Sequence, residues 1–85
     1  MELTTLFNEA VINSKALPEK PSNDVLLQLY SLYKQSTEGD VNADAPNNPF
    51  DFVAKAKFNA WEELKGKPKE IAMQEYVNLV TGLKG

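Results

Sequence analysis

Residues 22–40 read Ser22-Asn23-Asp24-Val25-Leu26-Leu27-Gln28-Leu29-Tyr30-Ser31-Leu32-Tyr33-Lys34-Gln35-Ser36-Thr37-Glu38-Gly39-Asp40, and both ends of this stretch carry helix-boundary signals. Ser22 is a favourable N-cap, and Gly39 is a favourable residue just past a helix end. The apolar side chains between them recur at the three- and four-residue spacing of one helical face. They are Val25, Leu26, Leu29, Tyr30, Leu32 and Tyr33. The stretch therefore predicts an amphipathic helix with a broad apolar face.

A first helix is predicted before this one, over about residues 3–14. It ends before a linker that contains Pro18 and Pro21, because the residue before a proline is disfavoured in helical geometry. Its apolar residues again share one helical face. They are Leu3, Leu6, Phe7, Ala10 and Val11.

Two more helices are predicted after the irregular stretch 38–50, which is rich in Gly, Asn, Asp and Pro. Asp51 suits the N-cap of a third helix over about 52–64, which Gly66 ends, and Pro68 suits the first turn of a fourth. The buried stripe of that fourth helix is predicted to contain Ala72, Tyr76, Leu79, Val80 and Leu83, widened by Ile71, Met73 and Val77. No alternating strand pattern competes, so the sequence predicts an all-α, four-helix domain with one long connection.

The composition disfavours several classes of function. The chain has 85 residues, 42% of them hydrophobic, which is enough for one small domain over residues 1–85 with a modest core. It contains no cysteine and no histidine, so it lacks thiolate and imidazole metal ligands and the usual general base of enzymes. The net charge of −3 disfavours generic binding to nucleic acid or to anionic membranes.

The sequence predicts a cytoplasmic protein. No run of about 18 apolar residues that could span a membrane is found. The N-terminal residues Met1-Glu2-Leu3-Thr4 are acidic and are followed by no long apolar stretch, so no signal peptide is predicted.

Most of the large aromatic side chains are expected in the core, since a small helical domain needs them for sufficient burial. These are Phe7, Phe52, Phe58 and Trp61. The tyrosines are ambiguous on periodicity alone, because a phenol usually keeps its hydroxyl hydrated or hydrogen-bonded.

Tyr30, Tyr33 and Lys34 lie at i, i+3 and i+4 and so share one face of the second predicted helix. Aromatic rings stack on a purine base, and an ammonium group holds a phosphate. A second run of aromatic residues and lysine, around Lys57, follows in the third helix. Together these runs favour a binder of a nucleotide-bearing ligand over an enzyme, although spacing alone does not show that Lys34 and Lys57 meet.

The residues also allow or exclude three other functions. Asp40, Asn42 and Asp44 match positions 1, 3 and 5 of an EF-hand calcium loop, but position 6 is Ala45 instead of glycine and position 12 is Asp51 instead of glutamate. Tyr30, Tyr33 and Trp61 could instead anchor a protein interface, as aromatic residues often do. A thioesterase is disfavoured, because no Ser/His or Cys/His pair can be built.

The sequence resembles the acyl-CoA-binding protein family, also called the diazepam-binding-inhibitor family, over nearly its whole length. Residues 30–40 resemble the family's Tyr-x-x-Tyr-Lys-Gln-Ala-Thr-x-Gly-Asp. Residues 56–66 resemble its Ala-Lys-Trp-x-Ala-Trp-x-x-x-Lys-Gly, and residues 72–77 resemble its Ala-Met-x-x-Tyr-Ile/Val.

The resemblance implies an up-down-down-up bundle of four helices that binds, buffers and transports medium- to long-chain fatty acyl-CoA without catalysis. It implies no cofactor, no metal, no nucleic-acid partner and no stable membrane insertion. It also implies a monomer that contacts acyl-CoA-using enzymes or membranes only transiently. The acyl chain would lie in an apolar groove, with the nucleotide and its 3′-phosphate held at the protein surface.

The resemblance also assigns site residues, one by one. Tyr30, Lys34 and Lys57 match positions that hold the phosphate, and Tyr33 matches an aromatic beside the adenine. Tyr76 matches a nucleotide contact from the fourth helix, and Lys15 matches a basic position near the ligand.

The chain departs from the family pattern in three places. Phe58 replaces a tryptophan, Val53 stands where many members carry a lysine near the ligand, and the loop 45–50 is one residue longer. The second departure implies that one cationic contact is missing. The third bears on the preferred length of the acyl chain.

Overall fold

The computed structural model of the protein describes residues 2–42 and 44–84. These residues form four α-helices and no β-strand, which confirms the predicted all-α class. The helices are α1 (Leu3–Ser14), α2 (Asn23–Glu38), α3 (Phe52–Glu62) and α4 (Lys69–Lys84). None of them combines the length and the apolarity that crossing a bilayer requires.

The helix ends follow the local signals in the sequence. The Ser22 side chain accepts a hydrogen bond from the Val25 N–H at 3.3 Å, and the Asp51 side chain accepts one from the Ala54 N–H at 3.0 Å. Both predicted N-caps are therefore confirmed. Gly39 follows α2 with a φ of +83°, a left-handed conformation in which a side chain would be strained.

The last two boundaries differ slightly from the prediction. Helix α3 ends at Glu62, and a turn over residues 63–66 then leads to Gly66, which has a φ of +92°. Pro68 lies one residue before α4, and its carbonyl accepts the Ala72 N–H at 3.0 Å. Pro68 thus lies immediately before the first turn of α4. A proline is well tolerated there, because no amide donor is needed at that position.

Helices α2 and α4 are the centre of the arrangement. Helix α4 packs against both α1 and α2, whereas α3 packs only against α2. The core lies where α1, α2 and α4 meet, and its buried members are Phe7, Ala10, Leu29, Leu32, Ala72, Tyr76 and Val80. Helix α3 contributes none of these residues and is attached to α2 through its own buried side chain, Trp61.

Two predictions about the core are wrong. Ile71 is 51% exposed, because the stripe that α4 buries runs through Ala72 and Tyr76, and Ile71 lies about 100° around the helix from Ala72. Phe52 is 73% exposed, because it is the first residue of α3, a helix that packs on one partner only. The predictions for Phe7 and Trp61 are confirmed, and Phe58 is half-buried.

Candidate ligand-binding site

Four of the six predicted site residues line one open cavity. It lies between α1, α2 and α4 and has a volume of about 360 Å³. We call it the tyrosine cavity; it is lined by Val11, Ser14, Lys15, Leu29, Tyr30, Tyr33 and Tyr76. Lys15, just past the end of α1, contributes an exposed ammonium group to its rim.

Three aromatic rings support the wall of the tyrosine cavity. The Phe7 ring stacks on Tyr33 with centroids 6.0 Å apart, and it meets the Tyr76 ring edge-on at 5.1 Å. Phe7 is buried, whereas Tyr33 is 41% exposed. Tyr33 therefore rests one face on the core and keeps much of its ring open to a ligand.

Tyr76 has both a structural and a cavity-lining role. Its ring is buried in the core, and its hydroxyl donates to Ser14 Oγ at 3.1 Å, which in turn donates to the Val11 carbonyl at 2.7 Å. This relay fixes the phenol oxygen at the cavity wall. Sequence reasoning missed Ser14, because it lies 62 residues from Tyr76 and belongs to no motif.

Lys57 connects the tyrosine cavity with α3. Its ammonium lies 5.3 Å from the centroid of the Tyr30 ring, a cation–π arrangement. Tyr30 faces the tyrosine cavity, while Lys57 also lines a second depression between α2 and α3. The pair therefore stands at the border between the two spaces, although its members lie on different helices.

The second depression is an apolar groove of about 350 Å³. We call it the α2–α3 groove; it is lined by Asn23, Leu26, Leu27, Phe52, Val53, Ala56 and Lys57. The exposed rings and methyl groups of Phe52 and Val53 stand at its edge. Among the described residues that line it, Lys57 alone is charged, so an apolar chain in the groove would lie beside a cation.

Lys34 points toward α3 instead of into the tyrosine cavity. Its ammonium lies 5.1 Å from the centroid of the Trp61 ring and forms an ion pair with Glu38. The hydrogen bond that Lys34 donates to Glu38 raises the pKa of Lys34, with smaller electrostatic contributions from Glu38, Tyr30 and Tyr33. The same hydrogen bond, from Lys34, lowers the pKa of Glu38.

Lys34 and Lys57 both form contacts between α2 and α3. Each ammonium lies over an aromatic ring: Lys34 reaches from α2 to Trp61 of α3, and Lys57 reaches from α3 to Tyr30 of α2. Tyr30 and Lys34 are one turn apart on α2. The two lysines therefore follow one another along the seam between these helices, next to the tyrosine cavity.

Asp40 ties the end of α2 to the turn that follows α3. Its Oδ1 accepts the Gly66 N–H at 2.7 Å and the Gln35 amide at 2.9 Å. The Gln35 amide also donates to the Lys67 carbonyl at 2.8 Å, and the Trp61 indole donates to the Gly39 carbonyl at 2.9 Å. Asp40 is also the first residue of the stretch that partly matches an EF-hand loop. Its Oδ1 accepts hydrogen bonds from protein groups.

These bonds predict a pH effect on stability. The hydrogen bond from Gly66 and then that from Gln35 lower the pKa of Asp40 in the folded protein. A carboxyl group with a lowered folded-state pKa stabilises the protein above its ordinary pKa of about 4, and this contribution disappears as the pH falls through the folded-state value. In Asp40→Asn, urea unfolding should therefore show a shallower loss of stability between pH 7 and pH 3 than the unmodified protein.

Asp44→Asn is the matched control, because it removes the same charge from an exposed side chain in the same loop. Its stability should fall with acidification in parallel with that of the unmodified protein. A parallel fall in Asp40→Asn as well would contradict the role assigned to this carboxylate.

A third cavity, of about 460 Å³, lies between α1 and α4 and is lined by Leu6, Glu9, Ala10, Asn13, Val77, Val80, Thr81 and Lys84. It is larger than the other two, but it holds none of the predicted site residues. The described residues that line it include no aromatic ring on which a base could stack.

A sequence model of the family described as acyl CoA binding protein matches residues 4–80. The chain belongs to the acyl-CoA-binding protein family. The resemblance found in residues 30–40, 56–66 and 72–77 is thereby confirmed.

Relatives in this family align over most of the chain. The acyl-CoA-binding protein of Dictyostelium discoideum is 52% identical over 75 residues, which are 88% of each chain. Acyl-CoA-binding protein homolog 1 of Caenorhabditis elegans is 47% identical over 81 residues, 95% of this chain and 93% of its own. The chain is also 49% identical over 77 residues to enoyl-CoA delta isomerase 2 of Rattus norvegicus, but it spans only 19% of that protein's length.

Two crystal structures of family members have the same fold. Acyl-CoA-binding protein 2 of Oryza sativa superimposes with a TM-score of 0.90 at 39% identity, over 96% of this chain and 90% of the other. The family member from Moniliophthora perniciosa superimposes with a TM-score of 0.88 at 38% identity, over 98% of this chain and 80% of the other. The predicted four-helix, up-down-down-up bundle of the acyl-CoA-binding protein type is therefore confirmed.

Proposed function

We propose that this protein binds medium- to long-chain fatty acyl-CoA esters without transforming them, and that it buffers and carries these esters in the cytoplasm. The proposal rests first on membership of the acyl-CoA-binding protein family over residues 4–80. It rests second on two neighbouring spaces with different linings: one presents three tyrosines and Lys15, and the other presents mainly apolar side chains.

The observation that carries the proposal is the contact between Lys57 and Tyr30. This pair lies between the tyrosine cavity and the α2–α3 groove. An acyl-CoA has the same division, with a charged nucleotide at one end and an apolar tail at the other. A single ligand that spans both spaces would satisfy the rings, the cations and the apolar walls together.

We assign roles to the site residues on this basis. Tyr33 stacks on the adenine, because its ring is open on one face and supported by Phe7 on the other. Tyr30, Lys34 and Lys57 hold the phosphates, because the two ammonium groups follow one another along the seam that Tyr30 borders.

Two further residues complete the site. Lys15 adds a cation at the rim of the tyrosine cavity. Tyr76 presents to the nucleotide a hydroxyl that Ser14 fixes in place. The acyl tail lies in the α2–α3 groove, where Val53 offers methyl groups instead of a further ammonium.

A non-catalytic role agrees with the chemistry that the chain offers. The sequence contains neither histidine nor cysteine, so a thioester bound here would meet neither an imidazole base nor a thiolate. The groups that line the two spaces are phenols, ammonium groups, the Ser14 hydroxyl, the Asn23 amide and apolar side chains, which bind and orient an amphiphile. The 85 residues would act as one monomeric binding domain that meets membranes or acyl-CoA-using enzymes only transiently.

The phosphate assignment is tested by replacing Lys57. Lys57→Ala should weaken binding of palmitoyl-CoA by about 10- to 100-fold, the range expected for one charge-assisted contact. Isothermal titration calorimetry of the purified variant gives the dissociation constant. Tyr33→Ala and Lys34→Ala should each weaken binding too, with the fold intact by circular dichroism.

Lys55→Ala is the control for Lys57→Ala. Lys55 is an exposed lysine on the same helix, two residues away, so its replacement changes the net charge equally. It lines neither the tyrosine cavity nor the α2–α3 groove. Equal losses of affinity in both variants would mean that only overall charge matters, and the assignment of Lys57 would be wrong.

A further inference from the structure

Glu38 holds the ammonium group of Lys34, one of the residues that we propose to bind the phosphates. Its carboxylate forms an ion pair with Lys34, one turn earlier on α2. The Trp61 ring covers the same ammonium from α3 at 5.1 Å to the ring centroid. Lys34 is thus held between an anion and an aromatic face before any ligand arrives.

We infer that Glu38 competes internally with the ligand's phosphate for Lys34, and so sets how tightly and how selectively the head group is held. This inference rests on the proposed function, since it needs Lys34 to contact a phosphate. A phosphate monoester carries about −1.5 to −2 charges at pH 7, against −1 for a carboxylate. A doubly charged phosphate therefore displaces Glu38 from Lys34, whereas a singly charged group does so much less readily.

The position of Glu38 in its helix supports this interpretation. Glu38 is the last residue of α2, where the helix dipole is negative and disfavours an acidic side chain. The carboxylate therefore does not stabilise the helix through its dipole, and its stabilising contact is the ion pair with Lys34. The lowered pKa of Glu38, caused chiefly by the hydrogen bond from Lys34, agrees with a carboxylate that stays charged in this pair.

Displacement would leave Glu38 beside the bound phosphate. The carboxylate would lose its partner and would also repel the ligand's negative charge, because the two anions would share one ammonium. Both effects oppose binding. Removing the charge at position 38 should therefore strengthen binding of the head group while leaving the apolar groove unchanged.

The chain offers a close control in its second ion pair. Lys67 and Glu75 lie 2.5 Å apart, with side-chain exposures of 25% and 44%, against 26% and 39% for Lys34 and Glu38. Glu38→Gln and Glu75→Gln each remove one negative charge, so each changes the net charge from −3 to −2. They differ in whether the released lysine belongs to the proposed site.

The test measures binding of palmitoyl-CoA by calorimetry to the unmodified protein and to these two variants. Glu38→Gln should bind about two- to fivefold more tightly, the range of an exposed ion pair, and Glu75→Gln should bind as the unmodified protein does. The gain should be absent when Glu38→Gln is combined with Lys34→Ala. With palmitoyl-3′-dephospho-CoA, which lacks the phosphate monoester, the gain of Glu38→Gln should disappear, and an undiminished gain would refute the selectivity for a doubly charged phosphate.

The outcomes separate this inference from the proposed function. If the unmodified protein binds palmitoyl-CoA but Glu38→Gln behaves like Glu75→Gln, or gains affinity without Lys34, the competition is refuted and the function stands. If neither the unmodified protein nor any variant binds palmitoyl-CoA, both are refuted.

Discussion

Coenzyme A without its acyl chain should bind this protein at least about a thousandfold more weakly than palmitoyl-CoA. Burying a tail of about fourteen methylenes contributes at most roughly 11 kcal/mol, at about 0.8 kcal/mol for each. Ordering the tail and the groove opposes this, yet retaining only about 4 kcal/mol gives a thousandfold difference in affinity. Calorimetric titration with the two ligands measures it directly, and equal affinities would show that the α2–α3 groove holds no tail.

The groove itself can be tested by filling it. Ala56 lines the α2–α3 groove, and Ala56→Phe would place a ring where we expect the acyl chain. This variant should lose affinity for palmitoyl-CoA by tenfold or more, the equivalent of about two buried methylenes. Its affinity for coenzyme A should be unchanged, which provides an internal control for folding and for the nucleotide contacts.

Replacing Trp61 with alanine should destabilise the protein by about 3–5 kcal/mol, the usual cost of removing a large buried aromatic ring. Trp61 is 4% exposed, its indole donates to the Gly39 carbonyl, and its ring supports the Lys34 ammonium. It is the one buried residue of α3. Chemical unfolding, followed by circular dichroism because the variant lacks the chain's single tryptophan, gives the free energy of unfolding.

Phe52→Ala is the matched control, because it removes an aromatic ring from the same helix at a position that is 73% exposed. Its free energy of unfolding should change by less than about 0.5 kcal/mol, as is usual for surface substitutions. If Trp61→Ala is no more destabilising than Phe52→Ala, then Trp61 does not anchor α3 as we describe.

The sequence predicted the helices well because their ends depend on local chemistry. Ser22, Gly39 and Asp51 act on backbone groups within a few residues, so their roles can be recognised without tertiary structure. The face that a helix buries was harder to predict. On α4, the apolar residues extend beyond the buried stripe to Ile71, and only packing against α1 and α2 selects Ala72 over Ile71.

The candidate site shows the same limit. The spacing of Tyr30, Tyr33 and Lys34 placed them together on α2, and the structure places Tyr30 and Tyr33 in one cavity. The spacing could not show that Lys34 lies over Trp61, because that contact joins two helices across the long connection. The spacing also could not reveal Ser14 as the partner of Tyr76, because the two residues lie 62 positions apart on different helices.

The attachment of α3 has a consequence for how the protein tolerates different ligands. Because α3 packs on α2 alone and adds nothing to the central cluster, a change in the spacing of α2 and α3 would leave the packing of α1, α2 and α4 in place. Adapting to a shorter or longer tail then disturbs one helix–helix contact and not the whole molecule. On the proposed function, substitutions of a few α3 side chains that face the groove would change the range of acyl chains bound, with little cost to the packing of α1, α2 and α4.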